Sequence, residues 1–514
     1  MFLRTATSTL AVLALTVPAF ADVSPAEVWQ NWVEYYQANG YSVTEGARDE
    51  AGDTLTLRDV AFTYALPEGE FDLRVVAPEI SLQATGDGRV RTTMSETIPI
   101  TAEFNDDGDD VTLTGAMTTR DTEIVSSGTP AEMTHESRIG EMVLALQTVT
   151  VAEDTKQVPV SMTLTNLTRS EQFARTDALR FDAVIAADRM TVDADLSNLS
   201  EDEDGPASIK VSGSLDALRG AAAGVVPLDI NPAENMVEAL RGGMDITGTF
   251  AAETGRFEFD FSGTDDEGES KQVAGWYTID GAELSVGLGE QGLKYQGAVD
   301  ATAAEMVMPE LPGPISYSLA DTTFDIQIPV LKSDEPAPFK MAYSIGGLTI
   351  ADTIWDMFDP QRVLPRDPAS LDIDVTGLLR LTMDLFDPAL ARAAEADADD
   401  EAASPQPFEP VELALNKLAL AAVGASFDSS GELRVPESGD MTKPVGHLNA
   451  RIEGLNGLID RLVQLGVVGN EEVAGYRMML AMFARPAPEG GDALVSEFEF
   501  REDGGIFANG QQVQ

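Results

Sequence analysis

The chain has no cysteine and only two histidines, His135 and His447, in 514 residues. The first absence removes disulfides, thiolate metal ligands and cysteine nucleophiles together, and the second leaves little for His-based metal or acid–base chemistry. Cations are scarce as well: 33 Lys and Arg stand against 87 Asp and Glu, a formal net charge of -54. A field of that sign repels polyanions, so no nucleic acid is expected as a partner. Beyond the N-terminal segment no run approaches the roughly 18 apolar residues of a membrane helix. The nearest candidates, Gly220 to Pro227 and Leu418 to Phe427, are short and rich in Ala and Gly.

Recognisable catalytic scaffolds are missing too. There is no Gly-x-Ser-x-Gly elbow, Walker loop, dinucleotide glycine fingerprint or His-Glu-x-x-His helix. We therefore expect no enzymatic activity, no catalytic residues, no cofactor and no metal site. One loop, Glu103-x-Asn105-x-Asp107-Gly108, imitates the start of an EF-hand. Its twelfth position is Thr114, where a bidentate Glu is required, and its flanks alternate like strands, so it reads as a solvated hairpin turn. His135 and His447 have no ligand motif around them and read as structural or surface residues.

What is present begins with an export signal over residues 1–21. Arg4 supplies a positive start, Leu10 to Val17 an apolar run too short to anchor, and Ala19-Phe20-Ala21 a small-x-small cleavage site. A mature chain starting at Asp22, periplasmic and without a transmembrane anchor, is expected. Ser24, Pro25 and Glu27 then write the start of a helix, with Val28, Trp29, Trp32, Val33 and Tyr36 on one face and Gly40 at its end. From Thr54 the period changes to two: Leu55 and Leu57, Phe71 to Val75, Ile98 to Phe104, and Val160 to Leu164 alternate with polar or small residues. Turn chemistry recurs every 15 to 20 residues or so, which points to long strands and not to the short ones of a compact sandwich.

The pattern predicts a mainly β chain: an elongated antiparallel meander curled into a groove or half-pipe, capped by a few amphipathic helices. We divide it into residues 22–243, a helix followed by a meander, and residues 244–514, a second β half with helical insertions. Asn231-Pro232-Ala233-Glu234 repeats the capping logic of the first helix. Asp359-Pro360 and Asp387-Pro388 each read as a cap and first helical residue, and Gly377 reads as a kink between Val375 and Leu379. Residues 395–410 read as a mobile acidic loop. An αα-hairpin is expected over 455–484, with one stripe of Leu455, Leu458, Ile459, Leu462 and Val463, and a second, capped by Asn470, of Val473, Tyr476, Leu480 and Phe483.

Phe257, Phe259 and Phe261 alternate with Glu258 and Asp260, and Trp276 follows across a turn. These four aromatics are the candidate wall of a ligand groove; ordinary sheet core is the competing reading.

The stretches Trp355-Asp356-Met357-Phe358-Asp359-Pro360 and Leu364-Pro365-Arg366-Asp367-Pro368, with Val28-Trp29-Gln30-Asn31-Trp32 after the export signal, resemble an uncharacterised family of exported bacterial proteins, domain of unknown function 2125. The resemblance implies likeness over nearly the whole mature chain and brings no activity or catalytic residues with it. In architecture the pattern is also similar to long-sheet envelope proteins that shield lipids in a groove. The expected function is that of a non-enzymatic envelope protein holding a hydrophobic ligand. The alternative is a scaffold with a solid core that binds an envelope protein partner. A cation-buffering role is a third reading, and salt adaptation, suggested by eight lysines against 25 arginines, explains the charge without any partner.

Overall fold

The structure, a computed structural model, describes residues 23–66, 71–106, 109–197, 199, 201, 202, 205, 206, 208–232, 235–264, 270–309, 311–387, 390, 407–436 and 442–513. The export signal and the 395–406 part of the acidic loop lie outside the described residues, whereas 408–410 already belong to a strand, Phe408–Ala422. Mainly β architecture is what the chain adopts. Among the described residues, twenty-five strands form one antiparallel sheet in which strands pair with near neighbours in the chain, a meander that skips a strand at a few places, as where Phe71–Ala84 pairs with both Val90–Met94 and Thr97–Asp106; Glu201–Asp202 and Gly205–Pro206 form a separate small ladder. Individual strands reach 22 residues, as in Asp154–Arg175, because β-branched and apolar positions alternate there without an interrupting turn. The sheet continues through residue 243, since Ser208–Pro227 pairs with Asp245–Thr264.

A line of irregularity crosses the first half of this sheet. Asp59, Asp121, Asn166 and Ala217 all have φ between 51° and 54°, each inside a strand. The left-handed backbone at such a point shifts the side-chain alternation while the pairing crosses it without a change of register, so the apolar spacing becomes three and then reverts to two. Ile139 with Met142, Leu164 with Leu167 and Leu215 with Leu218 show this: all six belong to one packed cluster despite their odd separation. The sheet thus bends without losing its apolar face.

Helix α1, Pro25–Ala38, forms as its capping box dictates: the Glu27 N–H donates to Ser24 Oγ, and the Ser24 N–H donates to Glu27 Oε2 at 2.9 Å. Its buried face, Val28 and Trp29, packs on Leu55, Leu57, Val60, Ile80, Leu82 and Val90, forming the main core. The rings of Phe62, Tyr36, Tyr35 and Phe173 are spaced 4.6, 5.5 and 4.9 Å in succession. Phe62 and Phe173 are therefore at most about 15 Å apart. Through the register Phe62 aligns with Gly115, and Phe173 aligns with Gly128 on the same strand. On a flat sheet those rows would be separated by about 40 Å at ~3.3 Å per residue. The sheet curls around α1, which fills the concave side at the N-terminal end.

Several local expectations are corrected. Helix α2 is Met236–Arg241 and its cap is Asn235, whose side chain accepts the Glu238 N–H; residues 233 and 234 lie outside the described residues. Helix α3 is Asp352–Phe358, so the apolar run is itself the helix and Asp359 ends it. Asp359 is buried, and its carboxylate accepts the N–H groups of Val363 and Leu364 at 2.9 and 2.8 Å, holding a loop where a helix start was expected. Pro388 lies outside the described residues. The strand Ala369–Leu381 passes Gly377 with Leu371 to Leu381 on one parity; the extra residues fall on its neighbour, Phe408–Ala422. Gly377 is required because a Cβ there would sit 2.1 Å from the Glu412 carbonyl oxygen. Helices α4, Leu455–Gln464, and α5, Asn470–Phe483, make the expected hairpin, but the α5 cap is Gly469, whose N–H donates to Glu472 Oε2 at 3.0 Å.

Candidate functional site

Residues directly opposite one another in an antiparallel sheet share a face, so the register can be followed from strand to strand. One row reads Met117, Leu144, Met162, Val192, Gly213, Phe257, Tyr277, Ala304 and Tyr317. A second reads Ile185, Gly220, Phe250, Leu284, Gly297, Phe324, Tyr343, Ile373 and Leu418. On the other face a row reads Glu141, Thr165, Arg189, Asp216, Thr254 and Asp280, with Arg189 and Asp216 paired at 2.5 Å. One face is apolar over most of the meander and the other is polar.

At the far margin of the sheet Leu381 is buried, and helix α1 fills the apolar face at its N-terminal end. Further along it stands open: Ile185 is 42% exposed, Phe250 38%, Met341 54% and Leu420 48%. It is also unusually flat in relief, because aromatic rings lie across glycines on the neighbouring strand. A Cβ at Gly213 would come within 2.2 Å of the Phe257 ring, one at Gly297 within 2.4 Å of Phe324, and one at Gly224 within 2.8 Å of Phe181. Replacing Gly213 with Val should therefore destabilise the protein by roughly 1–3 kcal/mol through overpacking. Gly287→Val is the control, since an added Cβ there meets nothing closer than 3.7 Å. Equal unfolding midpoints for the two variants in denaturant would refute the ring-over-glycine argument.

Phe257, Phe259 and Phe261 lie together on the apolar face, with the Phe259 and Phe261 rings stacked at 5.3 Å and Phe259 over Gly275. Trp276 does not join them. It is paired with Glu258 and Glu305, which places it on the polar face, and the Arg256 guanidinium sits 5.1 Å from its ring centroid. A shallow pocket of about 710 Å³ opens there, among Trp276, Glu258, Asp260 and Lys210. Its lining mixes these charged groups with the apolar side chains of Pro159, Val211, Phe259 and Val307.

At the closed end a buried polar knot joins helix to sheet, with no motif in the sequence to mark it. The His135 Nε2–H donates to Asn31 Oδ1 at 3.0 Å, while its Nδ1 accepts from Ser126 Oγ at 2.7 Å and from the Trp32 indole at 3.4 Å. These partners fix the neutral tautomer with the proton on Nε2. Burial, and then the Arg169 charge, push the His135 pKa down to about 4. Burial also raises the carboxyl of Glu171, directly opposite His135 in the sheet. His135 is thus structural. His447 is exposed on the polar face between Glu432 and Glu499.

At the other end Phe483, the last residue of α5, brings its ring 6.4 Å from that of Phe498, and its carbonyl accepts the Ser496 hydroxyl. Phe498 pairs with Leu448 on the apolar face. Among the described residues no helix is long and apolar enough to cross a membrane, and no group of three or more His, Asp or Glu is placed to hold a metal.

These features define a single-sheet β protein with one long apolar face, plugged at its N-terminal end and edged by a helical hairpin at the other. Residues 285–510 match the model of a bacterial family described as "Uncharacterized protein conserved in bacteria", DUF2125. The match is to the family the sequence resembles, and it covers the C-terminal part and not nearly the whole mature chain. No curated protein and no solved structure matches the chain.

Proposed function

We propose that this protein is a non-enzymatic periplasmic envelope protein that holds an acyl chain or similar hydrophobic ligand on the open part of its apolar face. The observation that carries the reading is the unbroken apolar register from Ile185 to Leu418 combined with the exposure of Phe250 and Met341 within or beside it. Surface of this kind is better covered than wet: each buried CH₂ contributes about 0.8 kcal/mol. A chain of ~16 carbons half-covered by the sheet gains about 6 kcal/mol in gross terms, less the cost of ordering it. The polar face and its carboxylates keep the opposite side in water.

The test is titration with a fluorescent fatty acid, together with mass spectrometry of organic extracts from the protein purified from periplasm. Near-stoichiometric lipid in the extract and saturable probe binding are expected. Met341→Asp places a charge on an exposed position, so the fold should persist while probe affinity falls about tenfold or more. A clean extract with no probe binding by the wild type would favour the partner-binding scaffold instead.

A further inference from the structure

The row followed from Ile185 to Leu418 carries no charge, yet one strand earlier, on Asp154–Arg175, the same row continues into Arg169 and then Ser137. Glu171 heads the neighbouring row on this face, which runs through Ala183 and Gly248 to Met341 without another charge. Arg169 and Glu171 form an ion pair. Charge on an apolar surface costs free energy that an apolar residue at either position would avoid.

Holding α1 in place does not account for the pair. The helix is tied to this strand by Arg175, which pairs with Glu34, and by Phe173, whose ring lies 4.9 Å from that of Tyr35. Among the described residues Arg169 donates to Glu171 alone, through Nη2. Its Nε and Nη1 donors stay available, in the planar fork that takes a carboxylate or phosphate through two parallel hydrogen bonds. The Glu171 side chain is tucked in, 13% exposed, whereas that of Arg169 is 43% exposed and stands beside Ile185 at the start of the open stretch. Burial raises the Glu171 carboxyl even against the Arg169 charge, which weakens it as a competitor for the guanidinium. Burial also raises the phenols of Tyr35 and Tyr36, both within electrostatic reach of Arg169, so the cation sits where the last turn of α1 ceases to cover the sheet.

A chain of net charge -54 repels an anionic head group at long range, so holding one on this face takes a local cation. From Arg169, a tail laid across the strands meets Ile185, Gly220, Phe250 and Leu284 in turn, at about 4.8 Å per strand. We propose that Arg169 is a head-group site, binding the carboxylate or phosphate of a single-chain amphiphile whose tail lies across Ile185, Gly220 and Phe250. This site rests on the reading of the apolar face as a lipid-binding surface, and adds to it the class of ligand and the direction in which it lies.

The experiment is displacement of the uncharged dye Nile red by dodecanoate, dodecyl phosphate and dodecanol. Wild type is compared with Glu171→Gln and with a double variant, Arg169→Gln with Glu171→Gln, which leaves no carboxylate unpaired; melting curves check that each folds. In wild type and in Glu171→Gln the two anions should displace the dye at roughly tenfold lower concentration than dodecanol. In the double variant the three should be equal, with dodecanol unchanged. An excess of inorganic phosphate should leave the dodecanoate midpoint where it was. Equal displacement by anions and dodecanol in wild type, or an anion preference that survives in the double variant, would overturn the head-group site while leaving the apolar face a ligand surface. So would loss of the preference in Glu171→Gln, since the pair would then be a structural unit, or its loss in excess phosphate, since Arg169 would then serve a free anion. Failure of the dye and all three amphiphiles to bind wild type would remove the ligand reading of the sheet and this site with it.

Discussion

Trp29→Ala should lower the stability of the protein by about 3–5 kcal/mol, the range for emptying a large aromatic site in a packed core. Trp29 is 2% exposed, sits among Leu55, Leu57, Ile80 and Leu82, and lies edge-on to Phe62 at 6.4 Å. Its indole N–H donates to Glu45 at 2.6 Å, so truncation also leaves that carboxylate without a partner. The effect is large because α1 fills the concave side of a curled sheet. Loosening it exposes both the helix and the strands bent around it. Trp276→Ala, on the polar face, should change stability by no more than about 1 kcal/mol. Urea unfolding followed by circular dichroism measures both. Similar losses for the two tryptophans would mean that the curl around α1 is not what holds the N-terminal end.

Acidification should destabilise the same region through His135. With the folded pKa at about 4 against 6.5 for an unperturbed histidine, the unfolded chain takes up the proton first. The folded state therefore loses stability as pH falls from about 6.5 to about 4, by about 3 kcal/mol in total. Above pH 6.5 both states hold His135 neutral and the effect vanishes. The cause is geometric: protonated Nδ1 would point a donor at the Ser126 hydroxyl and the Trp32 indole, which are themselves donors to it. Glu171 opposes this trend, since a raised carboxyl pKa favours the folded state on protonation. The measurement is thus a difference: wild type minus His135→Gln, by urea unfolding at pH 7, 5.5 and 4. A difference that stays constant across that range would show that His135 does not titrate between the two states.

The contrast between these two residues shows how far local pattern reaches. Trp29 was readable as a core residue because a helix face repeats every three or four positions, and Val28, Trp29 and Trp32 keep that spacing after an explicit cap. His135 is readable only as a structural or surface residue, since its partners Asn31 and Ser126 come from segments 104 and 9 residues away in the chain. Their meeting depends on how tightly the sheet curls, which the side-chain alternation of one strand does not encode.

The sequence by itself determined the β class, the length of the strands, the helix at residue 25, the hairpin after 455 and the common face of Phe257, Phe259 and Phe261, because each follows from periodicity, capping or turn chemistry within a few residues. Only the tertiary structure decided that Trp276 faces the polar side, that Asp359 ends a helix, and that Gly213 and Gly297 lie under aromatic rings. It also decided that the apolar face is open in the middle and filled at one end. Those outcomes depend on which residue of a neighbouring strand stands opposite, and on left-handed residues at Asp121, Asn166 and Ala217 that shift the alternation by one. Register and curl are set by summing contacts across many strands.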